Sequence, residues 1–223
     1  GAETNFRQKV ESREDLPVSE IVDQAIDAYD REITGEVLFT VEQAGDMHGT
    51  IGRGRDDVAA FAKAHALEQA PDYQPLLVEE RMNAELADGR VISGQLDLVA
   101  ADPLEGNALV DLKTSKKAPS QDDVDKSPQY TLGAALHRAR FGTLPRLIYH
   151  DTLIRRSRKG KALIERVRLR TERTPADFVA LSHRMDVVRK SVEAGIFVPR
   201  TEGWHCSQNW CGFWNTCPYV GRK

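Results

Sequence analysis

Apolar side chains recur at helical spacing near the start of the chain: Val18, Ile21, Val22, Ala25, Ile26, Tyr29 and Ile33, with acidic residues between them. This predicts an amphipathic helix over residues 16–33. The glycine-rich stretch GDMHGTIGRGRDD (45–57) reads as a loop or helix entry, with Asp56 or Asp57 placed to cap a helix reaching about Gln69. APDYQP (70–75) is a breaker segment.

The period then drops to two. Leu76–Leu86, Arg90–Ala100 and Ala108–Thr114 read as strands. Strict alternation in the second puts Val91, Ser93, Gln95 and Asp97 on one face and Ile92, Gly94, Leu96 and Leu98 on the other. Asp88-Gly89 predicts a hairpin turn and Asp102–Asn107 a second turn, giving an antiparallel meander. Ser127-Pro128 predicts an N-cap and first helical residue, for a helix to about Phe141 that buries Leu132, Ala135, Leu136 and Ala139. Two more strands, Leu144–Arg155 and Ala162–Arg170, flank Ser157–Gly160. Thr174 to Asp177 has the form of a capping box, opening a helix with Phe178, Leu181, Met185, Val188 and Val192 as its buried stripe and Gly195 as its stop. The pattern as a whole predicts an α/β fold with a central mixed sheet flanked by helices.

With 223 residues, 40% hydrophobic and 29% charged, the chain has material for a substantial core. It contains no apolar run near the ~20 residues a membrane span needs. The opening GAETNFRQKVESRED lacks the apolar core of a secretory signal. Three cysteines are too few for a disulfide scaffold, yet Cys206, Cys211 and Cys217 cluster in the tail as C-x4-C-x5-C among aromatic residues. Such a cluster suits a soft-metal site, iron–sulfur or zinc, or packed reduced thiols. The net charge of −3 hides an asymmetry. Residues 1–50 hold twelve Asp/Glu against four Lys/Arg, whereas residues 155–173 hold nine Lys/Arg against Glu165 and Glu172. The basic stripe suits either phosphate contact or a solvated hairpin.

The densest chemistry lies in ISGQLDLVAADPLEGNALVDLKTSKK, residues 92–117. A short turn lets the strands carrying Asp97 and Asp111 pair. Asp111 and Lys113, two apart, project from one face. Two carboxylates held together need a cation between them, and oxygen donors suit Mg²⁺ or Mn²⁺. Such a metal, with Lys113 beside it, points to phosphodiester hydrolysis. A bare D-x-K triplet is equally the pattern of a surface ion pair.

The ordered set Gly94-Gln95-Leu96-Asp97, Asp111-Leu112-Lys113-Thr114 and Gln129 in SPQYTLGAAL resembles the PD-(D/E)XK nuclease superfamily. It is most similar to the RecB-type branch that includes the CRISPR-associated adaptation nuclease and related phage exonucleases. His48 in AGDMHGT resembles that branch's metal-binding histidine, and GIFVPR with WHCSQNWCGFWNTCP resembles its cysteine-rich end. The resemblance covers roughly residues 44–218. It implies an N-terminal helical segment (1–43), a restriction-endonuclease-like core (44–198) and a small cysteine-rich C-terminal subdomain (199–223). It implies Asp97, Asp111, His48 and the Leu112 carbonyl as ligands of Mg²⁺ or Mn²⁺, Lys113 as the catalytic lysine, and Gln129 as an orienting group. The three cysteines would be ligands of a 4Fe–4S cluster, whose fourth ligand is not identified, or of Zn²⁺. Phosphate contacts are expected from Lys116, Lys117, Tyr130, Arg155, Arg156, Arg158 and Lys159. The implied activity is exonucleolytic cleavage of single-stranded or end-containing DNA with little sequence preference. It would act in the cytoplasm of a bacterial or phage-infected cell, alone or with partners in recombination, repair or CRISPR adaptation. The alternative is a DNA-binding subunit with a vestigial site. Glu79 or Glu80 is a further acidic candidate.

Overall fold

In the computed structural model the described residues are 1–34, 39, 41–85, 89–102, 106–158, 161–199, 201–203, 205–208 and 210–219. The expected turn at Asp88-Gly89, that at Asp102–Asn107, the loop at Ser157–Gly160, Lys159 and Trp204 lie wholly or partly outside them. Helices α1 (Ala2–Ser12), α2 (Val18–Ile33), α3 (Val41–Ala44) and α4 (Met47–Ala64) come first. A π turn (His65–Gln69) and a 3-10 turn (Ala70–Asp72) lead into β1 (Gln74–Glu85), β2 (Val91–Asp102) and β3 (Gly106–Ser115). The chain continues through α5 (Gln121–Lys126), α6 (Pro128–Phe141), β4 (Leu147–Arg158), β5 (Lys161–Thr171) and α7 (Pro175–Glu193).

The five strands form one mixed sheet in the order β1-β2-β3-β4-β5. The first three are an antiparallel meander, β4 is parallel to β3, and β5 returns antiparallel. A parallel neighbour needs a crossover, and α5 and α6 supply it. On one face, α6 sends Tyr130, Ala134 and Leu136 against Met82, Leu96, Val99, Leu109 and Ile148. On the other, Phe6 of α1 packs with Tyr73, Val78, Leu98 and Val110. Gly133 lets α6 sit close, since a Cβ there would lie 2.8 Å from a Leu109 methyl. Among the described residues no helix is long and apolar enough to cross a membrane.

Four expectations need correction, the smallest being that Ala139, expected in the buried face of α6, is exposed. The helix before the sheet is capped by Asp46, which accepts from the Gly49 N–H, and not by Asp56 or Asp57. Three glycines therefore lie inside α4, against their propensity. One reason is contact: a Cβ on Gly54 would fall 2.3 Å from the Tyr29 hydroxyl, which donates to the Ile51 carbonyl. The alternation of β2 also breaks. Leu96 packs under α6 while Leu98 packs with Phe6 on the opposite face. The break falls at Asp97, and across from it Glu79 of β1 holds a left-handed φ of 49°. Finally, α7 does not bury its predicted stripe. Phe178 and Met185 pack partly against the core, but Val188 and Val192 remain exposed. The helix rests on α6 with its first half and extends beyond it.

A buried ion pair ties the sheet to the turns before β1. Asp151 of β4 is fully buried and accepts from Arg166 Nε at 2.9 Å, Gln69 Nε2 at 3.0 Å and the Tyr73 hydroxyl at 2.6 Å. Arg166 also reaches Asp72 at 2.8 Å. Burial alone would raise the Asp151 carboxyl, but the bonds from Arg166, Gln69 and Tyr73 outweigh it and hold the group below the usual carboxylate range. Its stabilising effect is therefore complete above about pH 4, the unfolded value, and is lost as pH falls through the lower native value. Asp151→Asn should cost roughly 3 kcal/mol at pH 7, because it takes from Arg166 its buried carboxylate and turns an amide NH2 toward other donors. Urea titrations at pH 7 and pH 2 should show the difference from wild type shrinking in acid.

Candidate active site

The β2–β3 ladder ends at Leu98↔Val110. Past that pair the two strands part, and side chains fill the opening. Asp97, at the break in β2, accepts the Leu112 N–H at 3.2 Å. Lys113 Nζ lies 2.7 Å from Asp111 Oδ1 and 3.5 Å from Asp97 Oδ2. The expected convergence of Asp97, Asp111 and Lys113 is thus present. Gln129, in the first turn of α6, donates to Asp111 Oδ1 at 2.8 Å. The helix start set by Ser127-Pro128 is what brings it there.

The other oxygen of Asp111 is held from below. Tyr130 donates to Oδ2 at 2.9 Å, and His150 of β4 lies 3.4 Å from the same atom. The phenol has one proton, which goes to Asp111, so the hydrogen bond between His150 Nδ1 and the Tyr130 oxygen has the imidazole N–H as donor. His150 is the register partner of Asp111, which is why the two meet.

Charge is divided unevenly in this cluster. Burial raises the Asp97 carboxyl, with Asp111 adding and Lys113 opposing. Burial works the same way on Asp111, but the bonds from His150, Lys113 and Tyr130 prevail and keep it low. Lys113 stays protonated: burial disfavours the ammonium, yet Asp111 and Asp97 together lift its pKa above that of a free lysine. Burial also raises Glu79, with Asp97 contributing, while a bond of 2.6 Å from Gln95 counters it. Exposure follows the same order, with 7% of the Asp111 side chain exposed, 26% of Asp97 and 39% of Lys113.

Two carboxylates and the Leu112 carbonyl, which shares an edge with its Asp97-bound N–H, are donors that suit a hard divalent ion. His48 is exposed on the first turn of α4. Cys206, Cys211 and Cys217 are free thiols, partly buried in a run of turns. Among the described residues no three His, Cys, Asp or Glu side chains gather as a metal-ligand set. An ion between Asp97 and Asp111 would therefore draw its remaining ligands from backbone, water or substrate.

The expected nucleic-acid contacts divide. Lys116 and Lys117 are exposed just past the end of β3. Tyr130 is buried beneath Asp111, not presented to a strand. Arg155 pairs with Asp57 at 2.7 Å and Arg156 with Glu165 at 3.0 Å. Arg166 and Arg168 are engaged by Asp72. Much of the basic stripe is thus bound within the fold, because its strand faces acidic side chains of α4, the turns and β5. Arg158 ends β4.

Two contributors to the cluster escaped sequence reasoning. Tyr130 was expected to meet DNA, and His150 was not singled out. The signal for His150 was a polar pair, His150-Asp151, inside the apolar run LIYHDTLI.

No family model matches the chain, and no curated protein matches it. A solved structure described as the crystal structure of SSO0001 aligns with 97% of this chain and 95% of that one, at 14% identity and a TM-score of 0.38. A likeness at that level carries no argument about fold or chemistry.

Lys113→Met would leave two carboxylates facing each other with no counterion. Stability at pH 7 should fall by roughly 1 kcal/mol, a modest figure because the lysine is partly solvated. Denaturant titrations should show the deficit closing as pH falls through the raised Asp97 pKa and that carboxylate takes up a proton. A deficit independent of pH would show that the two carboxylates are not coupled.

Proposed function

We propose that this chain is a Mg²⁺- or Mn²⁺-dependent deoxyribonuclease of the PD-(D/E)XK type, its core restriction-endonuclease-like. The observation that carries the reading is Lys113 Nζ lying between the carboxylates of Asp97 and Asp111, with Gln129 closing the group. A bare D-x-K on a strand is an ion pair. A D-x-K whose aspartate is buried, bonded on both oxygens and joined by a second carboxylate is a costly arrangement for stability alone. That cost disfavours the vestigial-site alternative.

The metal would be held by Asp97, Asp111 and the Leu112 carbonyl. Bound there, it supplies a Lewis acid for the phosphoryl oxygens and an acidified water. The chain's own groups do the rest. Lys113, held protonated, offsets negative charge developing on the phosphate and orients the attacking water. Gln129 fixes one oxygen of Asp111 while Tyr130, backed by His150, fixes the other, so the carboxylate cannot rotate away. Lys116 and Lys117 hold the backbone of the strand without reading bases. Cleavage of single-stranded or end-containing DNA with weak sequence preference fits such contacts, as does service in recombination, repair or CRISPR adaptation in the cytoplasm. No step is assigned to an iron–sulfur cluster or zinc at the cysteine tail, since the three thiols do not gather as a ligand set.

The test is digestion of an end-labelled single strand with each divalent ion. Lys113→Ala and Asp97→Ala should each lower the rate roughly a thousandfold or more, with circular dichroism unchanged, and EDTA should stop the wild type. Full activity of either purified variant in Mn²⁺ refutes the assignment.

A further inference from the structure

Beside the catalytic cluster lies an open cleft of about 320 Å³, between α4 and the exit ends of β3 and β4. We propose that it receives an unpaired nucleobase of the strand being cut, so that the site selects single-stranded over duplex nucleic acid. This rests on the nuclease reading above.

Position supports it first. The cleft opens on the other face of β3 from the Asp111 carboxylate and meets the pair at Lys113, where β3 has run past its ladder with β2, so a nucleotide whose phosphate is held at the pair can turn its base round that edge into the cleft. The walls are mostly apolar: Val58 and Phe61 from α4, Leu112 from β3 and Leu153 from β4. Phe61 is only partly buried and offers a ring for stacking, which accepts any base. The volume lies within the range of small-ligand sites and is ample for one base.

Four polar residues line it, Lys113, Thr114, Gln69 and His65, and His65 gives the cleft its chemistry: it is 4% exposed and has a buried Nε2 with no partner among the described residues. Its protonation can be assigned from the network. Gln69 Nε2 donates to the Asp151 carbonyl and carboxylate, so Gln69 Oε1 must accept from His65 Nδ1, 3.0 Å away. The neutral imidazole therefore carries its lone pair on Nε2. Burial lowers the pKa of His65 and keeps it in that form. A buried, unpartnered acceptor in a wall that is otherwise mostly apolar selects a flat ligand that brings an N–H. Nucleobases do: adenine, cytosine and guanine through the exocyclic amine, thymine and guanine through the ring N–H. In a duplex those edges are paired and the faces stacked, so only an unpaired base is free to enter.

The experiment uses the 223-residue chain and single strands carrying one 2-aminopurine at successive positions from the end, in Ca²⁺ to prevent cleavage. With wild type, the fluorescence of one position should change severalfold, as that base leaves its neighbours for Phe61. Val58→Trp, which fills the cleft, should abolish the position-specific change and weaken strand binding about tenfold. If Val58→Trp proves unstable by thermal melting, Phe61→Leu takes its place, with loss of the signal again expected. An unchanged signal in a folded variant, or no position-specific change with wild type, overturns the cleft. The two readings fail separately. Wild type that cuts strands as well as Val58→Trp does loses the cleft alone. Wild type that gives the signal yet hydrolyses nothing in Mg²⁺ or Mn²⁺ loses the nuclease assignment alone.

Discussion

Asp111 is a carboxylate with almost no access to water, and its position depends on partners from three elements. Lys113 from its own strand and Gln129 from α6 take one oxygen. Tyr130 from α6, itself backed by His150 of β4, takes the other. Burying an ion is tolerable only when its oxygens find donors, so these partners are required as a set. That requirement fixes the height of α6 over the sheet and the pairing of β4 with β3. The neighbouring carboxylate, Asp97, is less constrained and more exposed. The pair thus combines a rigid member with one that can adjust to a ligand.

The divergence of β2 and β3 has its origin in a fault shared by β1 and β2. At Glu79 and Asp97 both strands exchange the faces of their side chains: Val78 and Leu98 serve one core, Met82 and Leu96 the other. A regular sheet would have hidden Asp97 in the ladder or turned it from Lys113. The fault places a carboxylate beside the free backbone of Leu112. Strain in the sheet and the acidic cluster therefore occupy the same place.

Much of this was legible from residue spacing. Ser127-Pro128 marked the start of α6 within a residue, and Thr174 with Asp177 marked that of α7, because caps are local signals. Asp97, Asp111 and Lys113 were legible because strand periodicity and a short turn suffice to bring them together. The face exchange at Asp97 was not, since it depends on two strands yielding together. The helix through Gly49, Gly52 and Gly54 was also missed: propensity argues against it, and the contact of Gly54 with Tyr29 is known only once α2 and α4 are packed. The basic stripe misled for a related reason. Its charges looked available until their partners, distant in sequence, were in place at Asp57 and Asp72.

One further consequence concerns β4. His150 and Asp151 are consecutive, so they leave the strand on opposite sides, one toward Asp111 and the other toward Arg166. Sliding the strand by one position one way would set Asp151 against Asp111, anion on anion; sliding it the other way would put His150 in the place of Asp151 and leave the guanidinium without its buried carboxylate. Parallel strands built from apolar residues alone tolerate such slippage, because every offset buries similar surface. Here two adjacent polar residues make either wrong offset costly, and so dictate how the parallel junction of β3 and β4 aligns.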